Sequence, residues 1–309
     1  MCMLLREIIT HVPCVKCGFF VIFNNVKQRF KKYILIQSLL SPSYFNITDA
    51  KSFIETYSCI YKDRPMIVWI DSPYYVEHGC DMRRAKVYVT SHYVKKLLNG
   101  TIHVDGVLRP PFNQVAYDER ASNVKKEYLF TVLASEPGDG TAIRKRVKYT
   151  LDILRQLNMR NSTLVISNVG DFDMRSYTLD EREKYRLLHK SYFYLSLSKN
   201  EGFGLPLMES MSVGTPAVYV NAFAFKEYAV GIPIDPYDVI IEETSYGKMD
   251  NYLIRDSDVR NALQEARECI KTSCYDELSA KALEKSKEFE MPNIEEKILS
   301  DFKSVMRHR

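Results

Sequence analysis

The feature that most constrains this chain is the alternation of strand-length and helix-length segments through its second half. Tyr128–Ala134 (YLFTVLA) is a short, apolar, β-rich run, and Ala142–Leu157 places Ile143, Val147, Leu151 and Leu154 at helical spacing. Ser162–Ser167 reads as the next strand. Thr178 opens a helix, with Glu181 three residues on completing a capping box. Tyr192–Ser198 then reads as a strand, Leu205–Ser212 as a helix and Pro216–Val220 as a strand. Alternation of this kind predicts a parallel sheet covered by helices on both faces, because parallel neighbours need a crossover between them.

The first half follows the same rhythm less clearly. Gly18–Asn24, Tyr33–Gln37, Pro65–Ile70, Val87–Thr90 and Thr101–Val107 read as strands, with a helix over Ser91–Leu98. Pro110 and Pro111 interrupt the pattern, and the polar stretch Asn113–Glu127 reads as a linker. The expected domains are residues 1–118, residues 119–285, and a C-terminal helical segment over 286–309 that includes an amphipathic stretch at Asn293–Met306.

Composition excludes several classes. Hydrophobic residues make up 46% and charged residues 27% of the 309, which is globular rather than disordered. The longest apolar runs are strand-sized, and no basic segment leads into an apolar stretch with a cleavage site, so the expected location is the cytoplasm. Seven cysteines, an odd count, argue against a closed disulfide framework and read as reduced thiols. Cys14 and Cys17 form a lone CxxC without a second pair, so no metal is expected. Residues 1–120 carry a net charge of +6 and the remainder −2. That excess suits a solvated helix face, or an anionic acceptor, a membrane surface at its cytoplasmic side, or nucleic acid.

The chemistry concentrates in Ser198–Pro216, SKNEGFGLPLMESMSVGTP. A strand ends there, Gly202, Phe203 and Gly204 form a turn, and a helix follows from Leu205. Glycines let backbone approach a ligand closely, and a helix N-terminus offers N–H groups and a positive dipole end to a phosphate. Pro206 in the first turn costs no hydrogen bond. Glu201 and Glu209 bracket the turn and can accept hydrogen bonds from vicinal hydroxyls.

This segment resembles the donor-binding signature of the retaining GT-B glycosyltransferases of the family 4-like group. Two glutamates separated by seven residues are followed by Gly214-Thr215-Pro216. The resemblance implies two Rossmann-like domains facing a cleft, C-terminal helices, and a shortened N-terminal domain. It implies sugar transfer from a nucleotide-diphosphate sugar, UDP- or GDP-linked first, without a further cofactor. Glu201 is then the carboxylate at the transferred sugar, Glu209 the one at the ribose, and Gly202–Leu205 the turn at sugar and diphosphate. Arg144-Lys145-Arg146 resembles the family's Arg-Lys-Gly, which makes Lys145, with Arg144, the cation at the leaving diphosphate. Val89–Val94 and Val104–Val107 resemble the end of the family's acceptor domain.

Three departures accompany the match. Ser135-Glu136-Pro137-Gly138 stands where the family has an arginine, so either Arg144 or Arg146 substitutes for it or phosphate binding is weaker. No glycine-rich loop lies between Met1 and Asn25. In the short first half, His78 is the candidate for the family's histidine near the anomeric carbon, with Asp71 and His11 behind it. Saccharide, lipid-linked and protein acceptors all fit, and nucleic acid fits less well. A non-catalytic nucleotide-sugar-binding protein and a GT-B-fold epimerase are the alternatives.

Overall fold

The computed structural model describes residues 8–12, 33–37, 66–70, 85–100, 103–135, 143–176, 178–244 and 247–292, with 294, 296, 297 and 300 beyond them. The chain divides into two compact units, Met1–Phe112 with Phe289–Arg309, and Asn113–Glu288.

In the first unit, β1 (Ile8–Val12) pairs in parallel with β2 (Tyr33–Gln37), Ile8 opposite Tyr33. A second parallel sheet joins β3 (Met66–Ile70), β4 (Ala85–Val89) and β5 (Gly106–Val107). Asp105 ties that sheet locally, since its carboxylate accepts the Val87 amide at 2.8 Å. Helix α1 (His92–Leu97) begins at Ser91, whose hydroxyl accepts from the Val94 amide at 3.2 Å and so satisfies one of the orphan donors of the first turn. The expected strand over Gly18–Asn24 lies outside the described residues.

The second unit holds the alternation. In chain order its elements are α2 (Val115–Ala121), β6 (Tyr128–Ala134), α3 (Val147–Gln156), β7 (Thr163–Ser167), β8 (Met174–Arg175), α4 (Glu181–His189) and β9 (Ser191–Ser196). Then come α5 (Leu205–Ser212), β10 (Ala217–Val220), α6 (Phe225–Tyr228) and β11 (Gly231–Ile234). The hairpin of β12 (Asp238–Thr244) and β13 (Gly247–Leu253) and helices α7 (Asp256–Cys269) and α8 (Cys274–Ser286) follow. Six strands form one parallel sheet in the order β11-β10-β9-β6-β7-β8. The chain enters at the centre on β6, winds outward to β8, then returns to β9 and winds outward the other way. This is the doubly wound order, and its topological switch point lies between β6 and β9. Phe130, Val165, Phe193, Leu195 and Val218 fill the sheet's core, with Leu154 and Leu263 of the flanking helices packed on them.

Several expectations are corrected here. Asn113–Glu127 is not merely a linker: α2 lies within it, buries Ala116 and Glu119, and packs against α4. Helix α4 is capped by Asp180, which accepts from the Glu183 amide at 2.7 Å, and Thr178 instead donates to the Arg175 carbonyl at 2.6 Å. The predicted helix over Ala142–Leu157 is split into a short 3-10 turn at Ile143–Lys145 and α3, because Arg146 adopts a left-handed φ of 50°. Cys269 and Cys274 are joined as a disulfide between α7 and α8, so these two thiols are not reduced. Among the described residues no helix is long and apolar enough to cross a membrane.

Candidate functional site

The site is assembled by the two loops that leave the carboxyl ends of β6 and β9, the strands at the switch point. The loop after β9 carries Ser198–Gly204 into α5, and the loop after β6 delivers Ile143–Lys145. Their backbones meet where the Lys199 amide donates to the Arg144 carbonyl at 2.8 Å.

Glu201 sits between these loops, 5% exposed. Arg144 Nη1 donates to its Oε2 at 2.7 Å, Lys145 Nζ bonds its Oε1, and the Ser198 hydroxyl donates to Oε1 at 2.9 Å. Arg144 Nη1 also donates to the Asn200 carbonyl at 2.9 Å. Burial alone would raise the Glu201 carboxyl, but the charges of Arg144 and Lys145 outweigh it and hold the group at about 2. Glu201 is therefore ionised at neutral pH, and both cations share its charge.

Glu209 lies one helical turn inside α5 and is 2% exposed. Its Oε1 accepts from Lys184 Nζ of α4 at 2.8 Å. Lys184 also donates to both oxygens of Glu181, at 2.9 and 3.1 Å. Burial raises the Glu209 carboxyl despite that partner, while Lys184 loses charge stability to burial but recovers more from its two carboxylates.

The turn itself is built around one residue. Gly204 has φ 86° at the start of α5, and a Cβ there would overlap the Phe225 ring, so only glycine fits. The Tyr228 hydroxyl donates to the Phe203 and Gly204 carbonyls at 2.6 and 3.1 Å, and the Phe203 and Tyr228 rings stack at 4.9 Å.

The structure brings Arg144, Lys145 and Glu201 together. The Arg146 guanidinium turns instead to the Leu197 carbonyl at 3.1 Å, to Asn251 at 2.9 Å and to the Tyr252 carbonyl at 2.6 Å. Of the two arginines offered as substitutes, Arg144 is the one in contact with Glu201. His78 and Asp71 lie outside the described residues, as does the side chain of His11. Lys184 and the β12–β13 hairpin were missed. The hairpin grips the motif loop through Asn200, which donates to the Asp250 carbonyl at 3.1 Å, and through Lys199, which donates to both Glu242 oxygens at 2.9 and 2.8 Å. No spacing rule links residues so far apart in sequence.

Residues 144–231 match the family model described as Glycosyl transferases group 1. The stretch runs from the first site cation to the start of β11 and contains both glutamates. Over 309 aligned residues the chain is 28% identical to a provisionally named glycosyltransferase 41 of Sulfolobus islandicus filamentous virus, covering 97% of this chain and 87% of that protein. A provisionally named glycosyltransferase, ORF330, of Acidianus filamentous virus 2 is 40% identical over 117 residues, 38% of this chain and 33% of its own. The chain is a glycosyltransferase of the GT-B fold.

Solved structures agree on the fold of this glycosyltransferase. Anabaena Alr3699/HepE, crystallised with UDP and glucose, superposes with a TM-score of 0.63 at 12% identity, covering 97% of this chain and all of that one. WaaG, a glycosyltransferase of lipopolysaccharide biosynthesis, gives 0.57 at 12% identity, covering 95% and 98%. In this glycosyltransferase the family match therefore falls on the half where loops, cations and carboxylates converge.

Proposed function

We propose that this glycosyltransferase takes a sugar from a nucleoside-diphosphate sugar and transfers it with retention of anomeric configuration. The observation that carries this reading is the convergence of Arg144, Lys145 and Glu201 on a glycine turn that opens a helix at the switch point of a doubly wound sheet. Glu201 takes hydroxyls of the transferred sugar, Glu209 takes the ribose, and Gly202–Leu205 lie along sugar and diphosphate. Negative charge grows on the departing diphosphate as the glycosidic bond breaks. Lys145 and Arg144 are placed to stabilise it more in the transition state than in the ground state. Those cations do the work a divalent ion would otherwise do, so chelation with EDTA should leave turnover unchanged.

The acceptor is a saccharide, a lipid-linked saccharide or a protein. The deciding experiment is calorimetric titration with UDP-, GDP- and ADP-sugars on the wild type and on Glu209→Ala. Binding of one nucleotide class, weakened about 10- to 100-fold in the variant, supports the donor site. Absence of binding across the panel removes the reading. With the donor known, NMR of the product's anomeric proton distinguishes retention from inversion.

A further inference from the structure

Lys184 has no place in the family resemblance, yet it is the cation that holds Glu209. Its side chain is 12% exposed and that of Glu209 3%, so the pair sits away from bulk water. The ammonium lies between two carboxylates, at 2.8 Å from Glu209 Oε1 and 2.9 Å from Glu181 Oε1, with the Tyr185 ring centroid 5.2 Å away. Glu181 sits three residues earlier on the same helix and fixes the lysine's direction. Among the described residues, no hydrogen bond reaches Glu209 Oε2. One carboxylate oxygen is therefore anchored and the other is left for a ligand.

We infer that Lys184, steered by Glu181, is a positioning residue that fixes the Glu209 carboxylate so that its second oxygen recognises the ribose hydroxyls of the nucleotide. The inference rests on the reading of Glu209 as the ribose carboxylate. Two physical effects support it. A buried carboxylate without a cation tends to take up a proton, and a neutral acid accepts hydrogen bonds less strongly than a carboxylate does. An unanchored glutamate also loses rotamer freedom on binding, which a pre-held one has already lost. Lys184 thus determines specificity for ribose over deoxyribose without touching the nucleotide.

The test compares UDP and GDP with their 2′,3′-dideoxy forms on the full-length protein, using whichever nucleotide the wild type binds. The wild type should bind the ribonucleotide about 10- to 100-fold more tightly than the dideoxy form. Lys184→Met should shrink that ratio to within about threefold, and Lys184→Arg should restore most of it. A variant that only loosens the fold weakens both ligands and keeps the ratio. Should Lys184→Met fail to fold, as judged by its thermal melt, Lys184→Gln is measured in its place. A wild-type ratio in the lysine variant, alongside a collapsed ratio in Glu209→Ala, overturns the role of Lys184 alone. A wild-type ratio in Glu209→Ala, or no binding of either nucleotide by the wild type, overturns the ribose reading and this inference with it.

Discussion

Burial alone would neutralise the Glu201 carboxyl, yet its neighbours keep it charged. Taking a carboxylate out of water is costly, and the cost is offset only when cations and hydroxyls replace the lost solvent, as Arg144, Lys145 and Ser198 do here. Glu201→Gln leaves the two cations without their counter-charge and should destabilise the free protein by about 3 kcal/mol. A nucleoside diphosphate can supply that charge, so its stabilising effect on the melting temperature should be larger in the variant than in the wild type. On the proposed assignment of Glu201 to the sugar hydroxyls, transfer should nevertheless fall about 100-fold, since an amide accepts hydrogen bonds less strongly than a carboxylate. If ligand stabilises both proteins equally, the cations do not meet the diphosphate. The same residue sets an acid response. Its carboxyl is depressed from 4.5 to about 2, so its contribution is full above the unfolded value and is lost as pH falls through the folded one. Urea midpoints measured between about pH 5 and pH 2 should fall less steeply in Glu201→Gln than in the wild type.

At the scale of elements, the turn before α5 takes its shape from a left-handed glycine that ends the loop and starts the helix. Gly204→Ala meets both a positive φ and the Phe225 ring, and should cost about 2 to 4 kcal/mol in chemical denaturation. A variant as stable as the wild type would mean the turn can re-form another way. The ends of α7 and α8 are joined by Cys269–Cys274, a crosslink closing a very short loop. Chain entropy for such a loop gives about 2 kcal/mol. Cys269→Ser with Cys274→Ser, or reduction of the wild type, should lower stability by about that amount, and treating the double variant with reductant should change nothing further. That these helix ends are covalently tied is not legible in the sequence, because a cysteine pair five apart also suits two separate thiols.

At the scale of the molecule, charge is distributed unequally, +6 over residues 1–120 and −2 over the rest. Such a field draws anions toward the first half and weakens with salt. If the acceptor is presented on an anionic surface, the protein should sediment with phosphatidylglycerol vesicles at low ionic strength and release at about 0.5 M salt. Failure to sediment at low salt would remove the membrane reading and favour a dissolved acceptor. The sequence by itself determined the parallel sheet, the strand–turn–helix that carries Glu201 and Glu209, and the cationic segment that meets it. Those rest on local periodicity, glycine stereochemistry and helix-terminus electrostatics, which act within a few residues. Only the tertiary structure decided that Arg144 rather than Arg146 meets Glu201, that Lys184 anchors Glu209, and that the β12–β13 hairpin grips the loop at Lys199 and Asn200. The physical reason is distance along the chain. Arg144 and Glu201 stand 57 residues apart and meet because the strand order brings β6 and β9 side by side. Lys184 and Glu209, 25 apart, meet between α4 and α5, and the hairpin reaches Lys199 and Asn200 from 43 and 50 residues away. No periodicity encodes any of these contacts.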